Sequence, residues 1–302
     1  MPSIKAQAFQ KALEGLVIAE LCASLPGRFL TEKGVAVVEK DYVFPDPVLP
    51  DGYSGGTVCI GGVRGVLVTK AGVRPKVASL HIHGGGWTDG DPTMRIPMIT
   101  HLCDGVNVDS YSVAYGLAPW HPYPEGLNDC IAFYKGLLDM GYEQILVGGE
   151  SAGAHLSLCL TLALMQENIQ LPTAVWCSSP PASMWFDEEK CYIQDELSSG
   201  GKNMRELYAP NGDRNDPLLN PIMGDFHGFP PLLIQCGGKE SLSAGAVALA
   251  EKACEAGTEV VLHFAQGMTH CFPDPMAPYP EATDGAAEIV AFYNRILNLT
   301  DQ

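Results

Sequence analysis

The sequence predicts an α/β fold: a mostly parallel sheet with helices on both faces. Three observations carry this. From residue 77 to the end, short apolar runs alternate with helix-period stretches of about 10–15 residues, the rhythm of strand–helix–strand units. Several of the runs, such as VASLHI and PLLIQC, are apolar almost throughout, as strands covered on both faces should be. And 302 residues with 46% apolar content suffice for one large domain with its own core.

The elements follow in order. MPSIKAQAFQKALEGLVIAELCASL reads as one amphipathic helix. Glu14 and Glu20 deny it the unbroken apolar core of a signal peptide. VAVVEKDYVF and VRGVLVTK read as strands separated by the turn-rich PDPVLPDGYSGG. The alternation then begins: strand VASLHIH and helix PTMRIPMITHLCDG, strand NVDSYSVAY and helix EGLNDCIAFYKGLLDM, strand QILVGG and helix AGAHLSLCLTLALMQ. After strand TAVWCSS, a polar stretch from Pro180 to Pro217 interrupts it, and a connection that long is expected to be a lid or an insertion. Strand PLLIQCGG, helix AGAVALAEKACEAG, strand EVVLHFAQ and helix AAEIVAFYNRILNL complete the chain.

Composition narrows the function. The net charge of −17 disfavours nucleic acid and anionic membrane surfaces, which need local positive charge. No apolar run approaches the roughly 18 residues of a membrane span. The ten cysteines are scattered, many within apolar runs, and no CxxC pair appears. Buried free thiols are expected, and with them a reducing, cytoplasmic setting.

The pattern G-x-S-x-G occurs twice. GYSGG, around Ser54, lies in a Pro/Gly-rich loop with no buried strand before it. GESAG follows the apolar run ILVG and opens a helix. A turn that tight strains its central residue and lifts the side chain above the sheet edge, at a helix N-terminus whose free N–H groups favour negative charge. Ser151 is therefore the candidate nucleophile and Ser54 the decoy.

A serine needs a base, and the base an orienting group. In the α/β-hydrolase arrangement the order is serine, acid, histidine. His270 lies in the loop GMTHCF behind the last strand. His263 falls inside that strand and reads as a core residue; His227 precedes a strand, and His155 lies one turn into the helix after Ser151. Glu240 is the first carboxylate after PLLIQCGG, with Asp225 and Asp274 as the weaker alternatives. HGGGW supplies glycines whose bare N–H groups can approach a substrate closely, so Gly84, Gly85 and Gly86, with the N–H of Ala152, form the candidate oxyanion hole. Glu150 is expected to support the site by hydrogen bonding.

With these residues assembled, the chain resembles the hormonesensitive-lipase-like family of α/β-hydrolase esterases, also called bacterial family IV. The resemblance covers about residues 80 to 302. It rests on HGGGW, YGLAPWHPYPEGLNDC, GESAGAH, DPLLNP with FPPLLIQCGGKESL, and GMTHCF, in the family's order. It implies a catalytic serine, acid and histidine at Ser151, Glu240 and His270, a carboxylic ester substrate of small to medium acyl size, an acyl-enzyme intermediate, and neither metal nor cofactor. It also implies a small helical cap from residues 1–45 and 180–215, over a core of 46–179 and 216–302. Trp87 and the cap residues Met184, Trp185 and Phe186 are candidates to line the substrate pocket. Two positions depart from the family: Gly116 stands where Arg is usual, and Trp120 where Glu is usual. HGGGW is also similar to the HGGxW of kynurenine formamidases.

Other readings stay open. His81 and His83 form H-x-H on one strand face, as two metal ligands would, but without a second ligand pair. The same scaffold serves arylformamidases, lactonases, amide hydrolases and ligand receptors that have lost catalysis. The sequence leaves a homodimer open.

Overall fold

The computed structural model describes residues 1–13, 18–186 and 196–300. The N-terminal segment forms α1 (Ile4–Leu13) and α2 (Ile18–Ala23). Whether these make the single helix expected depends on residues 14–17, which lie outside the described residues. A hairpin of β1 (Arg28–Leu30) and β2 (Ala36–Val38) follows as a separate two-stranded sheet. The expected strand VAVVEKDYVF is thus confined to its first half, and the rest runs irregularly to the next element.

The main sheet begins with β3 (Ser54–Ile60) and β4 (Val63–Thr69), an antiparallel hairpin. This corrects the expectation that GYSGG is only a turn, because Ser54 opens an edge strand. Gly55 and Gly56 sit at positive φ there, and the strand's alternating, largely exposed pattern hid it among turn residues. After β5 (Val77–Ile82) come α3 (Ile96–Val106), β6 (Asp109–Val113), α4 (Glu125–Asp139), β7 (Gln144–Glu150), α5 (Ala152–Glu167) and β8 (Ala174–Ser178). The polar stretch is not structureless: α6 (Glu196–Tyr208) lies within it. β9 (Leu232–Gly237), α7 (Ser243–Glu255), β10 (Val260–Ala265) and α8 (Pro280–Thr300) finish the chain.

The eight strands are ordered β10-β9-β8-β7-β5-β6-β4-β3, parallel from β10 through β6. α3 and α8 pack together against one face, around Leu102, Trp176, Leu233 and Tyr293. α4 and α5 cover the other with Leu127, Phe133, Leu156 and Leu160, and α7 extends that layer toward β9 with Ala246 and Leu249. α5 is buried from Ala152 through Leu164, so an all-round apolar sequence is what its place requires.

The strand order reverses at β5, whose neighbours β6 and β7 carry the chain away in opposite directions. The crevice at the carboxyl ends of β5 and β7 is therefore where a site is expected in an open α/β sheet. Close approach sets its shape. A Cβ on Gly153 would lie 1.9 Å from the Ile82 carbonyl oxygen, so only glycine lets α5 start this close to β5.

Candidate active site

Ser151 occupies the turn from β7 to α5 with φ 54° and ψ −122°, a region a side-chain-bearing residue visits only under strain. Its N–H donates to the Ser178 carbonyl at 2.9 Å, and its own carbonyl receives the His155 N–H at 3.0 Å. The sharp turn is therefore closed on both sides.

Three loops meet above it. His270 Nε2 lies 2.9 Å from Ser151 Oγ, and His270 Nδ1 lies 2.5 Å from Glu240 Oε2. A carboxylate can only accept, so in the neutral ring Nδ1 carries the proton and Nε2 is left to accept from the serine hydroxyl. Glu240 is fully buried. Its other oxygen accepts from Ser179 Oγ at 2.9 Å and from the Gly237 N–H at 2.7 Å. Burial opposes charge on His270, but the neighbouring Cys271 and the Glu240 carboxylate outweigh it and hold the imidazole pKa well above its ordinary value. Of the alternatives, Asp225 pairs with His227 at the surface and Asp274 caps its own turn. His263, expected in the core, is partly exposed and pairs with Glu288 at 2.5 Å, because β10 is an edge strand. His155 is buried in the helix, as expected.

Ser179, which no motif in the sequence marks, joins two of these loops. It sits at φ 51°, and its hydroxyl also accepts the Cys271 N–H at 2.9 Å, linking the acid loop to the histidine loop. α1 braces the same two loops through Gln10, which donates to the Gly267 carbonyl and accepts from Lys239 Nζ.

The glycine loop needs one correction. The Gly84 N–H donates to Glu150 Oε1 at 2.7 Å, so it is occupied and unavailable to an oxyanion. The N–H groups of Gly85 and Gly86 have no acceptor among the described residues, and Ala152, first in α5, has none within its helix. Gly85 and Gly86 lie at φ 118° and 62°. Glu150 is the anchor of this arrangement. Arg95 Nε lies 2.7 Å from its Oε1 and His81 Nε2 lies 2.8 Å from its Oε2. Burial would raise its pKa, but Arg95, His81 and the Gly84 N–H prevail and pull it down to about 2. His81 and His83 thus have separate duties rather than one shared ligand: His81 faces Glu150, and His83 Nδ1 donates to the Gly84 carbonyl at 2.7 Å. Arg95 stands in a helical stretch whose pattern said nothing of the site.

The far end of the loop is held by the N-terminal hairpin. Thr88 bonds Ala36 and Val38 of β2, and Arg28 reaches Asp89 at 2.5 Å and Asp91 at 3.0 Å. Lys33 and Asn203 in turn join the hairpin to α6.

The expected pocket residues also change. Trp87 is 1% exposed, stacks on Tyr208 at 5.3 Å and donates Nε1–H to His155 Nδ1 at 3.3 Å. It is a core side chain and not a substrate-binding one, because its φ of 62° turns it inward beneath α6. Met184 and Phe186 are buried in the same apolar cluster. That packing takes Phe186 out of the expected substrate-binding set. Trp185 remains partly exposed, with the Arg205 and Arg214 guanidinium groups over its ring. Residues 187–195 of the expected cap, Cys191 among them, lie outside the described residues; the nine described cysteines are free thiols.

A Cβ on Gly116 would meet His121 Cβ at 2.7 Å, so the backbone here has closed over the place of a side chain. Trp120 donates Nε1–H to the Val38 carbonyl at 2.8 Å and ties β2 to this loop.

Residues 79–274 match a family model described as the alpha/beta hydrolase fold. An esterase of Acinetobacter venetianus is 30% identical over 241 residues, covering 77% of this chain and 79% of that protein. An acetyl-hydrolase of Streptomyces hygroscopicus is 32% identical over 198 residues, covering 63% of this chain and 66% of its own. Among solved structures, an esterase from the bacterial hormone-sensitive lipase family superposes with a TM-score of 0.75 at 29% identity, covering 82% of this chain and 86% of that one. An esterase/lipase from an uncultured bacterium shares the fold, with a TM-score of 0.80 at 24% identity over 97% of this chain and 99% of that one. With this order of strands and these relatives, the chain belongs to the α/β-hydrolase family, in its hormone-sensitive-lipase-like branch of esterases.

Proposed function

We propose that this protein is a serine carboxylic ester hydrolase that works through an acyl-enzyme on small to medium acyl esters. The observation that carries the reading is the continuous line of hydrogen bonds from Ser151 Oγ through His270 to the buried Glu240. In this reading His270 Nε2 takes the hydroxyl proton as Ser151 Oγ attacks the ester carbonyl. Glu240 holds the Nδ1–H tautomer and stabilises the imidazolium that forms. The N–H groups of Gly85, Gly86 and Ala152 receive the oxyanion, and each such donor is worth about 10²–10³ in rate. His270 then protonates the leaving alcohol, and a water deprotonated by the same ring hydrolyses the acyl-enzyme.

Residues 1–45 and 180–215 serve as the cap in this reading, over a core of 46–179 and 216–302. Support comes from the Lys33–Glu206 pair and the Asn203–Lys33 hydrogen bond, which join the two segments. Met204 of α6 lies over the glycine loop: a Cβ on Gly86 would sit 2.7 Å from its sulfur. That thioether limits the length of acyl or alkyl group that fits beside the oxyanion, and partly exposed Trp185 is retained as a pocket wall. Among the described residues no helix is long and apolar enough to cross a membrane. A cytoplasmic setting fits the free thiols.

The test is hydrolysis of p-nitrophenyl esters from acetate to decanoate. Ser151→Ala should cost on the order of 10⁶ in kcat, and Ser54→Ala should cost nothing. A folded wild type inactive on every ester but active on N-formylkynurenine or a lactone would replace the ester reading with one of those.

A further inference from the structure

Glu240 is fully buried, so its charge is met by donors within the fold. Oε2 faces His270 Nδ1 at 2.5 Å. Oε1 accepts two bonds, from the Gly237 N–H at 2.7 Å and from the Ser179 hydroxyl at 2.9 Å. The first is a backbone bond. The second depends on one side chain, and that side chain is itself tightly held. Ser179 directly follows β8, its N–H donates to the Gln235 carbonyl of β9 at 2.7 Å, and the chain turns there at φ 51°. The residue is fully buried. A hydroxyl has one proton and a carboxylate can only accept, so that proton goes to Glu240. The oxygen's lone pairs are left for the Cys271 N–H at 2.9 Å. The residue after His270 is thus fastened to the same oxygen that orients the acid. The two loops are also in close contact: a Cβ on Gly237 would lie 2.5 Å from the Thr269 carbonyl oxygen.

The same bond acts on charge. The hydroxyl dipole points its positive end at Oε1 and offsets part of the carboxylate's pull on an imidazolium. Without it, more of that pull falls on His270, and the ring holds its proton to higher pH. The other titratable groups facing the pair are Cys271, beside the imidazole, and Cys236, whose thiol burial pushes up to about 12 and so keeps neutral. The Ser179 hydroxyl bonds neither thiol.

We propose that Ser179 is a positioning residue for the ester hydrolysis: its hydroxyl sets the Glu240 carboxylate and the histidine loop in one register and moderates the acid's hold on His270. The proposal rests on the reading of Ser151, His270 and Glu240 as the catalytic groups, and its test separates the two.

The test is the pH dependence of kcat and kcat/KM on p-nitrophenyl acetate for wild type, Ser151→Ala and Ser179→Ala. An inactive wild type, or a fully active Ser151→Ala, removes the catalytic reading and the proposal with it. Where Ser151→Ala abolishes turnover, Ser179→Ala should lower kcat by about 10- to 100-fold, as expected for one lost hydrogen bond to a charged group and a small misplacement of the base. KM should stay within about twofold, because the hydroxyl does not touch substrate. The acid limb of kcat/KM should move to higher pH, opposite to its movement in Glu240→Gln. A loop that was merely loosened would let Glu240 and His270 separate, and the limb would stay or fall. Ser179→Gly removes the same hydroxyl and suits φ 51°, so it decides if Ser179→Ala does not fold. Ser112→Ala removes another buried hydroxyl, one without a hydrogen-bond partner among the described residues, and should leave all three quantities unchanged. An unchanged kcat in Ser179→Ala, a limb that stays or falls, or equal losses in Ser112→Ala would each overturn the proposal and leave the ester-hydrolase reading standing.

Discussion

Glu150 should hold the site together through its charge, and Glu150→Gln tests this at nearly constant volume. Its carboxyl falls from 4.5 to about 2 in the folded protein, which corresponds to roughly 3 kcal/mol of stability at pH 7. That is a large part of the roughly 5–15 kcal/mol a domain possesses. The sign follows from the depressed folded value. The contribution is fully present above about pH 4.5 and is lost as the pH falls toward 2. At pH 3 the same relation leaves about 1 kcal/mol. Urea unfolding of wild type and variant at pH 7 and pH 3 measures it. The gap should shrink by roughly 2 kcal/mol between the two. A gap equal at both pH values would refute the reasoning, because a neutral glutamine differs from a protonated glutamic acid very little. Glu150→Ala should go further and free the Gly84 N–H, costing about 10²-fold in kcat through a displaced loop.

Glu240→Gln should lower kcat by up to about 10⁴-fold. It should also move the acid limb of kcat/KM to lower pH, because the carboxylate that raises the His270 pKa is gone. An unmoved limb would mean that Glu240 does not face the base. Gly85→Ala should abolish turnover: at φ 118° its Cβ would lie 2.0 Å from the Asp89 carbonyl oxygen. Full kcat in that variant would remove Gly85 from the oxyanion hole. Trp87→Ala should cost about 3–5 kcal/mol of stability as a core cavity. The acyl-length profile should stay unchanged, whereas a pocket wall would shift KM with chain length.

Much of this protein was legible as sequence. The strand–helix rhythm from Val77 onward, the strand-to-helix turn that bears Ser151, and the loops that bring Glu240 and His270 to it all follow from local patterns. Such patterns report burial period, turn chemistry and chain order, which neighbours along the chain determine. α6 and β3 were not legible, because polar or half-exposed elements carry little periodicity. Nor could local pattern show that Gly84 is already bonded, that Trp87 turns inward, or that Ser179 ties two loops. Those facts depend on which side chain arrives from a distant segment. Arg28, Arg95 and Gln10 reach the loops around the site from dozens to hundreds of residues away in sequence, and a hydrogen bond needs its partner within about 3 Å. The sequence by itself determined the chemistry available and the loops that bear it. Only the tertiary structure decided which N–H groups stay free for the reaction, because that is a matter of which ones are already satisfied across the fold.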